Sequence, residues 1–386
     1  MMSLKTNQRL VALDVFRGLA IVCMILVNGL PEFEHAYPQL LHSEWSGLTV
    51  ADLAFPGFVF AMGAAGALWF PRHQRDRVAA RFGIIFRRSL LLFLLGLVLN
   101  QLPILFSHLL TPELVTAPLG QEIMEHGRIM GVLQRLGLVY FFGMLLCWWL
   151  ESERMIAAMA FALLAVYSLC FHLYAVEAPF SPDMNISMLI DGLFPGPAHC
   201  YLNAHFDPEG LYGTISATAS MMFGQLAGRR LSTTNAPTFE RVAGLFVYGV
   251  IFLAAGWLWS TVDLISKPLW TAPYVLLTSG IFMFLIGFLQ IGFSLMPGLM
   301  GGLLSPCRAF GMNALFMFVI PDWVIVFLWT IPYPSVDYPF YPWVWECTVK
   351  GIVDLPFSIL LFDILWLLCW LPIVQFLNNR HIFIKV

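Results

Sequence analysis

The sequence predicts an all-α polytopic membrane protein of about ten transmembrane helices, with both termini in the cytoplasm. Three observations carry this reading. Of the 386 residues, 59% are hydrophobic and only 11% charged, whereas soluble domains carry about 25% charged residues. Apolar windows of the roughly 20 residues needed to cross a bilayer recur from end to end. The ten-residue alternation of a transmembrane β-barrel, the other spanning solution, is absent.

The spans read, in order, as follows. The first, 10–30, is interrupted only by Asp14 and Arg17 near its start, and the second, 50–70, opens at "GLTVADL" with Asp52 in its first turn. The third, 84–103, follows an arginine-rich run and stops at Pro103, since proline ends or kinks a helix. Spans 130–150 and 155–175 come next, the former carrying Gln134 and Arg135 within its apolar pattern. Span 211–228 begins after an Asp-Pro-Glu helix start, with proline at the first helical position. Spans 241–261 and 274–296 precede 309–330, which contains Asn313 and Pro321, and 354–376, which contains Asp363 and Pro372. No internal repeat is evident, so an inverted-repeat transporter gains no support.

Orientation follows from where Lys and Arg collect. With the N-terminus inside, sixteen of the 20 basic residues, including Lys5, Arg9, Arg75 and Lys385, fall on the cytoplasmic side; Arg128, Arg135, Lys267 and Lys350 fall outside. The chain then reads as one integral-membrane domain over 1–386, with extracytoplasmic loops at 31–49 and 176–210 and a basic cytoplasmic loop at 71–88. The first apolar run is too long for a signal peptide and lacks a small-residue cleavage site. The seven cysteines are scattered and read as small buried hydrophobes, with Cys200 and Cys347 alone in loops where a bridge is conceivable. A net charge of -3 gives no reason to expect a nucleic-acid partner.

Chemistry concentrates at the helix mouths. A loop histidine at a membrane interface is ordinarily a solvated polar residue. His42 stands apart because it lies on the short connection between Asn28, at the end of the first span, and Asp52, at the start of the second. Histidine is the usual general base or acyl-accepting nucleophile near neutral pH, and a carboxylate orients its second nitrogen. For Asp52 the plain alternative is a first-turn acid facing the helix dipole. Asp14 and Arg17, three apart, most simply neutralise one another, although Arg17 also suits an anionic group arriving from the cytoplasm. The run "PRHQRDRVAARFGIIFRR" carries six arginines. It is a sufficient topology signal, and it also suits a polyanion such as coenzyme A. Gln134 and Arg135, within a span, must face protein or a cavity. Asp207 and Glu209 flank the Pro of a helix start and turn two carboxylates toward the outer side, where they suit a sugar's hydroxyl or amino groups. His199 and His205 match no tight metal-ligand spacing, and no metal is expected. Asp363, without an evident local partner, is the feature expected of a proton-coupled transporter.

Four stretches, "RLVALDVFRGLAIVCMILVN", "HSEWSGLTVADLAFPGFVFAMG", "RIMGVLQRLGLVYFF" and "FDPEGLYGTIS", with weaker "KPLWTAPYVLLTSG" and "FGMNAL", fall in a fixed order along the chain. In them the chain resembles the heparan-α-glucosaminide N-acetyltransferase-like family of integral-membrane acyltransferases. The resemblance implies transfer of an acetyl group from cytoplasmic acetyl-CoA to a terminal glucosamine or related glycan amine on the far side, in a bacterial inner membrane. It places the active-site histidine of an H-x-x-W-x-G motif on His42, with Trp45 and Gly47, and carries over Asn28 and Asp52. Glu44 stands where a small residue is common. The expected assignments are then His42, Asn28 and Asp52 as catalytic; Arg17, Gln134 and Arg135 toward acetyl-CoA; and Trp45, Asp207 and Glu209 toward the amino sugar. A second copy of the chain is a candidate partner besides the lipid bilayer. The rival expectation is a proton-coupled sugar transporter.

Overall fold

The computed structural model describes residues 11–73, 77–232, 238–335 and 338–384. Lys5, Arg9, Arg75 and Lys385 of the basic set lie outside the described residues. Every regular element there is helical, apart from isolated bridges such as Pro332 to Pro339. The helices are α1 (Val11–Asn28), α2 (Ala54–Trp69), α3 (Val78–Asn100) continued by α4 (Leu102–Leu110), a short α5 (Leu119–His126), α6 (Val132–Trp149) and α7 (Glu153–Tyr174). Then come a short α8 (Ile186–Leu193), α9 (Gly213–Ser232), α10 (Thr238–Trp259), α11 (Ala272–Leu295), α12 (Pro297–Leu303), α13 (Ser305–Met312), α14 (Ala314–Thr330), α15 (Phe340–Thr348) and α16 (Leu355–Asn379).

Among the described residues, eight helical stretches are long and apolar enough to cross a membrane, with α3 and α4 counted as one, and nine if α13 and α14 form one broken span. The one expected span outside this set is the sixth in chain order, α9. Its Thr, Ser and Gly content makes it too polar to qualify by composition, yet most of its side chains are buried. It packs against α2, α7 and α6. Thr218 Oγ1 donates to Thr214 O at 2.8 Å, Thr214 Oγ1 to Gly210 O just before the helix at 3.1 Å, and Ser220 Oγ accepts from the Trp270 indole at 3.2 Å. A span enclosed by other helices has no need of an apolar surface, because protein rather than lipid surrounds it.

The expected ninth span is bent by 86° between α13 and α14, at Asn313. The reason is packing. A Cβ on Gly18 of α1 would lie 1.6 Å from Cys307 O, and one on Gly311 would lie 1.8 Å from Asp14 O. Glycine at both positions lets α1 and α13 meet backbone to backbone. Pro103 opens α4, whereas Pro321 and Pro372 lie inside α14 and α16. The basic stretch 71–88 enters α3 at Val78, and 176–210 carries α8 and two short 3-10 turns. All seven cysteines are free, with Cys200 buried and Cys347 on α15.

Candidate active site at the helix mouths

The connection from α1 to α2 is irregular, and its polar groups are organised around one carboxylate. Asp52, fully buried in the 3-10 turn Ala51–Leu53 that leads into α2, accepts on Oδ2 from Ser43 N (3.2 Å), Ser43 Oγ (2.8 Å) and Thr49 N (3.1 Å). Thr49 Oγ1 lies 3.1 Å from the same oxygen and 2.8 Å from Leu41 O. The other oxygen, Oδ1, faces His42 Nδ1 at 3.0 Å. The backbone of Asp52 is fixed too, since Tyr274 of α11 donates its hydroxyl to Asp52 O at 2.7 Å. Gly47 takes φ +122°, a left-handed conformation that favours glycine, and its N–H donates to Ile265 O at 2.9 Å. Trp45 donates its indole N–H to Phe180 O at 2.9 Å and sets its ring edge-to-face on Phe206. The turn is thereby tied to two distant segments. His42 itself remains 44% exposed at its side chain.

Lys267, on the segment before α11, completes this group. Its Nζ lies 3.0 Å from His42 Nδ1 and 3.9 Å from Asp52 Oδ1. Burial lowers its pKa from the ordinary lysine value, against the opposing pull of Glu209 and Asp52. The sequence reading did not single it out as a site residue. Two signals were present: it is one of only four basic residues assigned to the outer side, and it begins the weaker family stretch "KPLW".

Asp207 and Glu209 sit in a separate, closely bonded network. Arg128 Nε donates to Asp207 Oδ2 at 2.8 Å, and its Nη2 donates to Asp207 Oδ1 at 2.7 Å and Glu209 Oε2 at 2.6 Å. Asp207 also accepts from Tyr201 N and Glu209 N. Burial raises the pKa of Glu209, but Arg128, Arg135 and Lys267 outweigh it and hold the carboxyl below its ordinary range. The Arg128 guanidinium is raised by the same two acids despite its burial.

The residues expected to meet acetyl-CoA divide among three places. Arg17 lines a cavity of about 650 Å³ bounded by Asp14 and Met24 of α1, Phe58 and Trp69 of α2, Arg88 of α3, Tyr140 of α6 and Phe318 of α14. Arg17 Nη2 donates to Asp14 Oδ1 at 2.6 Å, and Arg88 Nη1 to Tyr140 Oη at 3.5 Å. Gln134 instead turns back to its own chain, donating to Ile129 O at 2.8 Å, with its Oε1 buried and unbonded. Arg135 is buried near Asp207 and Glu209, donating to Gly210 O at 2.9 Å and lying 5.3 Å over the Trp270 ring, with Nε and Nη1 unbonded among the described residues. Neither lines the large cavity.

Asn28 turns its amide to Asp322 of α14, at 3.4 Å, rather than to His42. Both line a narrow gap of about 10 Å³ that shares Met24 and Phe318 with the large cavity. Asp363 is fully buried beside Gly29, with neither carboxylate oxygen hydrogen-bonded among the described residues. Glu32, Glu34 and His35 bring potential ligand atoms within 4.8 Å of one another at a mostly exposed turn that the Glu32 carboxylate organises by accepting from the Glu34 and His35 N–H groups.

No protein-family model matches the chain. Curated relatives do. The chain is 40% identical over 135 residues to heparan-alpha-glucosaminide N-acetyltransferase of Mus musculus and 38% identical over 136 residues to that of Homo sapiens. Each match covers 34% of this chain but only 18% of the relative's length. Over that third of its length, this membrane-helical chain is similar to heparan-alpha-glucosaminide N-acetyltransferase, the family its ordered motifs resemble.

Proposed function

We propose that the chain is a transmembrane acyltransferase, moving an acetyl group from cytoplasmic acyl-CoA to the amino group of an amino sugar or glycan on the opposite side. One observation carries this reading: an exposed histidine is held by a buried, fully oriented carboxylate at the mouth of a helical bundle. The similarity to two N-acetyltransferases supports the same chemistry. The large cavity suits the donor, because its lining is mostly apolar while Arg17 and Arg88 offer guanidinium groups suited to phosphate. Along α1, Arg17 and Asn28 stand about 16 Å apart at 1.5 Å per residue, so an extended carrier arm anchored by Arg17 reaches the far end of the helix. In this orientation the basic end faces the cytoplasm, and the membrane is a bacterial inner membrane.

Acetyl transfer needs a base for the amine, a donor to the developing oxyanion and limited access of water. His42 takes the proton from the attacking amine. The amine nitrogen forms a bond to the acetyl carbon, the carbon–sulfur bond breaks, and the proton passes from His42 to the leaving thiolate. Asp52 holds the ring. The Asn28 amide, presented beside Asp322, is a donor for the carbonyl oxygen.

Purified chain given acetyl-CoA and glucosamine is expected to release free CoA. His42→Ala is expected to lower the rate about 10²- to 10⁴-fold, the usual worth of a general base. A fully active His42→Ala variant rules out His42 as the base. The rival reading, a proton-coupled sugar transporter, rests on Asp363, a buried carboxylate with no hydrogen bond. It predicts pH-dependent uptake into proteoliposomes without acetyl-CoA, lost in Asp363→Asn.

A further inference from the structure

The two oxygens of Asp52 differ in what they face. Oδ2 is saturated by Ser43 and Thr49. Oδ1 is left to His42 Nδ1 at 3.0 Å and Lys267 Nζ at 3.9 Å, while Lys267 Nζ is itself 3.0 Å from that same ring nitrogen. One imidazole nitrogen cannot satisfy both neighbours. It carries a proton and donates to Asp52, or it offers its lone pair to an ammonium N–H. The first arrangement leaves the lone pair on Nε2 free; the second puts the proton on Nε2.

We propose that Lys267 is a positioning residue that selects the tautomer of His42. Charged, it donates to Nδ1 and leaves Nε2 as an N–H, unable to act as a base. Neutral, it frees Nδ1 to donate to Asp52, and Nε2 becomes the base. This inference rests on the proposed role of His42 and names what controls it.

The surroundings of Lys267 make such a change of charge accessible. Its side chain is 13% exposed. It feels Glu209 from the segment before α9, Asp52 and His42 from the first connection, Arg135 from α6 and Cys23 from α1. Burial and Arg135 favour the neutral amine; Glu209, Asp52 and Cys23 favour the ammonium; the balance lies below the ordinary lysine value. The sign follows directly. Below the Lys267 midpoint the ammonium blocks the base, and activity rises as pH passes upward through it. During transfer the proton travels from amine nitrogen to Nε2 and then to the leaving thiolate, so Lys267 neither gains nor loses one.

The test reads His42 itself, independently of turnover. Diethyl pyrocarbonate attacks an unprotonated imidazole nitrogen, and the His42 peptide reports the rate by mass spectrometry across pH. In the wild-type chain, modification is expected to climb about tenfold per pH unit below the Lys267 midpoint. Lys267→Met is expected to remove that limb, leaving His42 reactive at lower pH. Lys267→Arg, which keeps its charge throughout, is expected to hold His42 unreactive over the whole range. The pH profiles of kcat/KM should follow the same three patterns. Superimposable modification profiles for wild type and Lys267→Met overturn the proposal, as does a Lys267→Arg chain modified as fast as Lys267→Met. If the three patterns appear in a protein without transferase activity, the control by Lys267 stands and the proposed reaction fails. If His42→Ala abolishes transfer while the modification profiles coincide, the reverse holds.

Discussion

Two polar clusters, one around Arg128 and one around Asp52, differ in whether their carboxylate oxygens are already committed. Around Arg128, both oxygens of Asp207 are engaged by the guanidinium and by backbone N–H groups, and Glu209 shares the same cation. Around Asp52, one oxygen is saturated and the other is contested by His42 and Lys267. A saturated network has one favourable arrangement and fixes a shape. A contested one has two arrangements close in energy, which chemistry requires. We therefore read Asp207 and Glu209 as shaping the wall of the site, with any contribution to acceptor recognition arising through that wall. Asp52 we read as part of the reaction.

The sharpest way to break this comparison is Asp52→Asn. The amide oxygen can still accept from Ser43 and Thr49, so the turn should hold. The amide NH₂ then faces His42 Nδ1 and makes it an acceptor, which places the proton on Nε2. Acetyl transfer is expected to fall roughly 10²- to 10⁴-fold, as for loss of the base, with thermal stability changed little. Rates of CoA release and a thermal melt of the same preparation check both halves.

Arg128→Met should do the opposite. It leaves Asp207, which is fully buried, without its counter-charge, and uncompensated burial of this kind costs about 3 kcal/mol. A large fall in thermal midpoint is expected, with residual activity in whatever protein remains folded. Equal losses of stability in Arg128→Met and Asp52→Asn would remove the distinction between the clusters.

What was legible in the sequence follows from how far apart the partners lie. His42 and Asp52 are ten residues apart on one connection, so motif and neighbourhood pointed to the same pair. Lys267 reaches His42 across 225 positions, and no spacing rule links them. Asp322 pairs with Asn28 across 294 positions and was likewise hidden. The helices were legible because lipid demands continuous apolar runs. The bend at Asn313 was not, because it depends on Gly18 and Gly311 meeting backbones of another element. Asp207 and Glu209 appeared free to bind a sugar because their cation, Arg128, lies 79 and 81 residues away.

The smallest expected effect separates the two clusters by pH. Asp191 of α8 is buried and accepts from the N–H groups of Asp207 (3.0 Å) and Leu211 (3.2 Å), holding the loop that carries the Arg128 network. Burial raises its carboxyl to about 6, outweighing those two bonds and the nearby Arg135. In the unfolded chain an aspartate titrates near ~3.9. The folded chain therefore holds this proton more tightly. The stability due to protonated Asp191 is full below the unfolded value and is lost as pH rises through about 6. Glu209, held below its ordinary range, runs the other way: its contribution is present above the unfolded value and is lost as pH falls. The wild-type thermal midpoint is expected to fall relative to that of Asp191→Asn as pH rises through this window, and the two are expected to run parallel above it. Curves parallel throughout would show that burial does not govern Asp191.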